Sequence, residues 1–283
     1  MADLAAARRF VHREARLLDR LAFEASLGEG SAASVIQALG AYQNSDGGFG
    51  NALEPDTRTR SSQPLYLALA LEYMDGAGRF DGDQVRRACD WLAGVLRPEG
   101  GAPILLDSFR DADFAPHWAN NSPTPGINPN GGIAGLLMKA GVRHPVLDRL
   151  EAFCWRSLGS LDGAHDVSEA LVFLEHAPDR RRAEAHAERL VRQLPKTRMF
   201  KADPSVSEYG LDALFYARTP GAWVTQWLDP ALVHAALSHL EETQQEDGGW
   251  AINWTPPGSA AVAEWRGMTT VRAVRTLRAY GRL

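Results

Sequence analysis

Apolar residues recur along this chain with the 3.6-residue period of helices, and the strict alternation of a half-buried strand is hard to find. Leu4, Ala7, Val11, Ala15, Leu18 and Ala22 share one face of a first predicted helix. Val35, Ile36, Leu39 and Tyr42 do so in a second, which Ser31 opens as an N-cap. One-sided patterns return at Val85, Ala88, Cys89, Leu92 and Val95, at Val146, Leu150, Phe153 and Cys154, and at Val167, Ala170, Leu171 and Leu174.

Between them lie helices of another kind. The segment from Pro64 to Leu71 is apolar nearly all round, and so is Ile133 to Met138, which is entered through Asn128-Pro129-Asn130-Gly131-Gly132. A helix apolar on every face must be enclosed by other helices. Alternating enclosed and one-sided helices suit either two concentric rings or a stacked solenoid.

A repeat sharpens this picture. Gln43-Asn44-Ser45-Asp46-Gly47-Gly48-Phe49 near the start matches Gln245-Glu246-Asp247-Gly248-Gly249-Trp250 near the end. Weaker echoes at Pro98-Glu99-Gly100-Gly101 and Leu161-Asp162-Gly163 suggest a unit of about 50 residues, within the range of repeat architectures. The glycines allow a backbone with positive φ where the chain leaves a helix. The preceding acid can accept turn amides, and the aromatic can plug a gap between hairpins. On this reading Asp46, Asp247, Phe49 and Trp250 are structural.

Bulk properties exclude several classes. The chain of 283 residues is 45% hydrophobic and 23% charged, enough for a globular core, and the repeat favours one domain over residues 1–283. A net charge of −5 supplies no basic field for nucleic acid. Cys89 and Cys154 sit inside apolar helical patterns, as buried thiols of a reducing compartment do. With neither a signal-peptide core at the start nor a run of the ~18 apolar residues a membrane span needs, the expected location is cytoplasmic. Nothing in the pattern specifies an oligomer.

The Gln43 to Phe49 and Gln245 to Trp250 segments resemble the Gln-Trp repeat of squalene and oxidosqualene cyclases, also found in degenerate form in protein prenyltransferase β-subunits. The chain is also similar to short bacterial proteins of that superfamily that carry Asp-Gly-Gly-Phe-Gly, Glu-Pro-Asp and Glu-Trp-Arg-Gly segments. The resemblance implies an all-α fold, an α/α-toroid of roughly five or six hairpins. It covers the ends of the chain well, and residues 102–205 by helical character alone.

The superfamily's catalytic signatures are missing here. Class II cyclases protonate an alkene or epoxide through Asp-x-Asp-Asp, whereas Asp111-Ala112-Asp113 is followed by Phe114. There is no Asp-rich cluster for Mg²⁺ and a diphosphate. Neither cysteine has partners at zinc-ligand spacing, so no metal site and no cofactor are expected.

Candidate chemistry then rests on three loops. The loop from Asn51 to Arg60 presents Glu54, Asp56 and Arg58 around Pro55, either as a general acid with a tuning cation or as caps and ion pairs of the following helix. The loop from Ile252 to Gly258 brings Trp254 and leads to Glu264-Trp265-Arg266-Gly267 at the start of the last helix. Its tryptophans either wall a cavity and face a cation or pack between hairpins. The irregular stretch from Ala102 to Asn130 carries Asp113, His117, Trp118 and Asn128 and suits a lid or binding loop.

The leading expectation is an apolar, aromatic-walled cavity for an isoprenoid or other hydrophobic small molecule. In a cyclase, Asp56 or Asp113 would give the proton, Arg58 and His117 would tune it, and Trp118, Trp254 and Trp265 would face the cation. Two alternatives stay open: a carbohydrate-active α/α-barrel using Glu54 and Asp56 in a polar groove, and a non-catalytic helical-repeat binding protein.

Overall fold

The computed structural model describes residues 2–283. Among them no strand forms, and twelve helices follow one another: α1 (Leu4–Glu14), α2 (Leu17–Leu27), α3 (Ala32–Leu39), α4 (Pro64–Gly76), α5 (Gly82–Val95), α6 (Ile127–Lys139), α7 (Pro145–Ser157), α8 (Ala164–His176), α9 (Arg180–Gln193), the single turn α10 (Ala213–Tyr216), α11 (Pro230–Glu242) and α12 (Ser259–Ala279). They alternate between an outer and an inner ring, the α/α-toroid expected from the repeat, in six outer-inner pairs.

Inner helices run parallel. Gly267 of α12 approaches Ala15 just before α2, and eleven residues further along both segments Arg278 reaches the Ser26 carbonyl. Tyr73 of α4 meets Asp19 of α2, and Glu72 meets Arg272 of α12. Small residues of α6 lie against the backbone of α8 at Glu169 and Val172. Pro64 starts α4 where its missing N–H costs nothing, and Tyr66, Leu67, Leu71 and Met74 are buried, as a helix surrounded by others requires.

Glycine corners join the rings, and three of them share one geometry. Gly47, Gly100 and Gly248 have φ of 94, 97 and 93°. The amides of Asn44, Arg97 and Gln245 donate to the carbonyls of Gly48, Gly101 and Gly249, each at 2.8 Å. Each corner docks on an outer helix at residues four apart: Arg87 and Trp91 of α5, Arg149 and Phe153 of α7, and Ala6 and Phe10 of α1. A Cβ on any of these glycines would enter that helix's backbone or an aromatic ring. The echo at Gly100-Gly101 is thus a true copy. The one at Gly163 is not: its φ is −103°, and it pairs with Arg198.

Because the last corner docks on α1, the ring closes. Gln244 donates to the Asp3 carbonyl at 2.9 Å and accepts from the Asp3 amide at 2.6 Å, as Gln43 donates to the Gln84 carbonyl of α5 at 2.8 Å. Asp46 and Asp247 accept the amides of Gly48 and Gly249 and reach forward to Ser62 and Arg266. Phe49 and Trp250 are buried, the latter donating to the Leu240 carbonyl at 2.8 Å.

Four local expectations are corrected. The first predicted helix is two, broken at Ala15-Arg16. Arg20 takes the Ala15 carbonyl at 2.7 Å while Arg16 turns extended, so the chain crosses from the outer to the inner ring. α8 belongs with the enclosed helices, since Ala164, Val167, Ser168, Ala170, Leu171, Phe173 and Leu174 are all buried. α12 begins at Ser259, which places Glu264 and Trp265 in its second turn. The stretch before Asn130 is no free lid: α6 starts at Ile127, and two short 3-10 turns occupy Asp107–Asp111 and Pro116–Trp118.

Replacing Gly248 by alanine combines a positive φ with a clash on α1, so a loss of about 2–4 kcal/mol is expected. Gly163→Ala meets only the flexible Asp166 side chain and should cost less than about 1 kcal/mol. Urea unfolding of the two variants measures the contrast, and equal losses would contradict the docking of the last corner on α1.

Candidate functional site

The loop after the first corner is folded back on itself by two residues with positive φ, Asn51 at 57° and Ala52 at 56°. That conformation costs an alanine about 1–2 kcal/mol. It is held because Ala52 donates to Thr59 at 2.9 Å and Arg16 clamps the Leu53 carbonyl at 2.8 Å. Arg16 itself is fixed by Asp19 at 2.8 Å and the Tyr73 hydroxyl at 3.0 Å.

Beyond Pro55 the loop pairs with the stretch before α6. Arg58 donates its amide to Asp113 at 2.8 Å, Ala115 donates to Asp56 at 2.7 Å, and Thr57 bridges Phe114. Two segments far apart in sequence thus form one short antiparallel contact. It sets Asp56 beside His117.

Asp56 is only 4% exposed. Its Oδ1 accepts the indole N–H of Trp265 at 2.7 Å and of Trp254 at 3.3 Å, and Oδ2 lies 3.6 Å from His117 Nε2. Burial pushes the Asp56 pKa up, while the Trp265 donor, His117 and the Trp254 donor oppose that rise. Burial pulls the His117 pKa down against the attraction of Asp56, which favours a neutral imidazole. His117 is half exposed and so connects the carboxyl to solvent.

Around this pair the other expected residues take distinct places. Arg58 forms a two-pronged ion pair with Glu264, at 2.5 and 3.1 Å, tying the loop to α12 across the ring. Glu54 is 6% exposed, and its Oε2 has no hydrogen-bond partner. Burial and neighbouring Asp56 raise its pKa well above the carboxylate range, against the amides of Asp56 and Thr57. Trp118 lies beside His117, ring centroids 4.9 Å apart, with its buried N–H unpartnered. Asp113 is exposed and joins the site through its backbone alone. Asn128, half-buried in the first turn of α6, makes no side-chain hydrogen bond; the buried amide there is Asn130, which ties Ala102 to Gly126.

Sequence reading missed two members. Tyr209 packs edge-on against Trp254 at 5.5 Å, which in turn meets Trp265 edge-on at 5.1 Å. The Tyr209 hydroxyl lies 2.8 Å from His165 Nε2 at the start of α8. His165 stands on a helix whose pattern read as one-sided, so its place two residues after Gly163 was the one signal available. Tyr209 lies in an irregular segment and offered none.

One pocket opens among the inner helices. It is about 50 Å³, lies between α2, α4 and α12, and mixes Leu69, Met268 and Val271 with charged side chains. Among the described residues no group of His, Cys, Asp or Glu converges as metal ligands, and no helix is long and apolar enough to cross a membrane. Both cysteines are buried and free, with burial pushing the Cys89 thiol up to about 11.

No protein-family model matches the chain, and no curated protein matches it in sequence. Solved structures do. A protein from Actinoplanes is 17% identical with a TM-score of 0.57, covering 98% of this chain and 99% of its own. The type II terpene cyclase MstE from Scytonema, a variant in complex with its substrate geranylgeranyl dihydroxybenzoate, is 14% identical with a TM-score of 0.60, covering 99% of this chain and 96% of its own. A ligand-free variant of that cyclase gives 13% and 0.56 with the same coverage. At these identities the likeness establishes a terpenoid cyclase-like fold.

Because the Asp56 pKa is raised on folding, the folded chain holds that proton more tightly than the unfolded one. The associated stability is complete below the ordinary Asp range and is lost as pH rises through the value of Asp56 itself. Asp56→Asn keeps an acceptor for both indoles and removes the titration. Its stability relative to the unmutated chain should therefore climb as pH rises from the ordinary Asp range through the raised value of Asp56. Urea unfolding across that range checks this, and a difference independent of pH would refute it.

Proposed function

We propose that the protein is an acid-initiated enzyme of the terpenoid cyclase type, in which Asp56 protonates a double bond of an isoprenoid or similar hydrophobic substrate. The observation that carries the reading is the buried Asp56 carboxyl gripped on one oxygen by two indole N–H groups. Protonating an alkene demands a strong acid, and those donors stabilise the carboxylate that appears as the proton leaves. Oδ2 is the oxygen left to carry the proton. His117, open to solvent on its other side, is suited to take up a proton there and pass one on to Oδ2.

The aromatic cluster supplies the second requirement. Trp254, Trp265 and Tyr209 are contiguous, and indole and phenol faces stabilise carbocations that water would quench. The pocket of about 50 Å³ among α2, α4 and α12 is lined by none of these rings and is separate from the place a substrate would take at Asp56. That the solved cyclase of the same fold is bound to a geranylgeranyl-bearing substrate supports the same substrate class. The carbohydrate alternative has less support, because Glu54 faces the amides of its own loop and is poorly placed as a second working carboxylate.

Two measurements test the reading. Titration with linear isoprenoids should change tryptophan fluorescence through Trp254 and Trp265, with a weaker change in Trp254→Phe. Turnover in D2O should place one non-exchangeable deuterium in the product, and Asp56→Asn should lower the rate about a hundredfold or more. If no isoprenoid perturbs the fluorescence and none is converted, the proposal fails.

A further inference from the structure

About two turns along α12 from Trp265, whose indole grips Asp56, the inner helices present a different chemistry. Trp265 and Arg272 are seven residues apart on α12, about 10 Å along the helix. At the lower level Arg272, Arg275 and Arg218 enter the pocket with Glu72, while Asp19 and Tyr73 form its wall toward α2. Asp19 is already paired with Arg16 and Tyr73.

That leaves three guanidinium groups and one carboxylate. Arg272 and Arg218 share a single oxygen, Glu72 Oε2, at 3.3 and 3.6 Å. Among the described residues Arg275 has neither an ion-pair nor a hydrogen-bond partner, and its guanidinium fills the space that any side chain at Gly76 would take. Glu169 stands near Glu72 and Arg218, but burial foremost pushes its pKa up to about 8, so it is mostly uncharged at neutral pH. Partial burial, with like-charge neighbours adding to it and Glu72, and for Arg275 also Asp75, opposing it, pulls the pKa values of Arg218 and Arg275 down, although both side chains reach solvent.

Capping of helix ends does not explain the cluster. Arg180 caps the α8 end through the carbonyls of Leu174, Glu175 and Ala177, and Arg278 reaches Ser26 at the end of α2. Arg272 and Arg275 donate to no helix-end carbonyl, and the Arg218 bond goes to Phe215 in its own turn. The pocket of about 50 Å³ holds a few waters' worth of space, at roughly 10–15 Å³ each on this measure. A compact oxyanion fits, and a surplus of two positive charges matches a dianion.

We infer that Arg218, Arg272 and Arg275 form a binding site for a phosphoryl dianion, free or as a monoester, at the inner-helix level remote from Asp56. Guanidinium forks match phosphate oxygens in pairs, and three converging on one small space select a tetrahedral ligand over a lone carboxylate. The site stands whether or not Asp56 is a proton donor.

The test is calorimetric titration of the whole protein with inorganic phosphate, methyl phosphate and acetate at constant ionic strength, alongside thermal unfolding. Saturable phosphate binding is expected, with acetate much weaker; methyl phosphate binding as well as phosphate would assign the site to an ester, and binding of phosphate alone to the free ion. Arg275→Gln should weaken phosphate binding about tenfold or more while leaving the ligand-free protein as stable as before or more so, since Arg275 has no partner to lose. Asp56→Asn should bind phosphate unchanged. No saturable phosphate binding, equal binding of acetate, or unaltered affinity in both Arg275→Gln and the Arg272→Gln/Arg275→Gln double variant would overturn the inference.

Discussion

Everything in this molecule depends on the approach of a glycine corner to the backbone of an outer helix. Three times the chain leaves a helix through a glycine with positive φ and lays the next glycine against an aromatic ring, Trp91, Phe153 or Phe10. The contact has no room for a side chain, so it fixes both the distance and the direction in which the next inner helix departs. Parallel inner helices follow, and with them two chemically different ends: one where loops deliver Asp56, the other where helix bodies deliver arginines.

The same constraint explains what the sequence revealed. Gly47-Gly48 and Gly248-Gly249 were legible because tight backbone contact permits one residue type only. Helix faces were legible because an enclosed helix such as α4 is apolar nearly all round from Pro64 to Leu71. The break at Ala15-Arg16 was not, since its cause is the Arg20 bond to Ala15 and the seat of Arg16 between Asp19 and Tyr73, contacts that periodicity cannot register.

The candidate site divides similarly. Asp56, Trp254, Trp265, Arg58 and Glu264 stand in the loops and helix starts that follow the two best repeats, and a closed ring must bring those together. His117 joined them for a reason invisible in one dimension, the short antiparallel contact of Thr57 with Phe114. Which of Asp56 and Asp113 is buried was beyond sequence too: the two sides of that contact turn one carboxylate into the ring and leave the other in water. On α12 Arg275 and Arg278 stay exposed, while the ring's curvature turns Arg272 toward Glu72.

Closure through Gln244 and Asp3 has a temporal side. During synthesis the loop bearing Asp56 emerges well before the indoles that grip it and the Glu264 that anchors Arg58. A nascent or truncated chain therefore carries the carboxylate without its donors, as an ordinary hydrated acid. The carboxyl with both indoles on it thus exists only once the circle has shut.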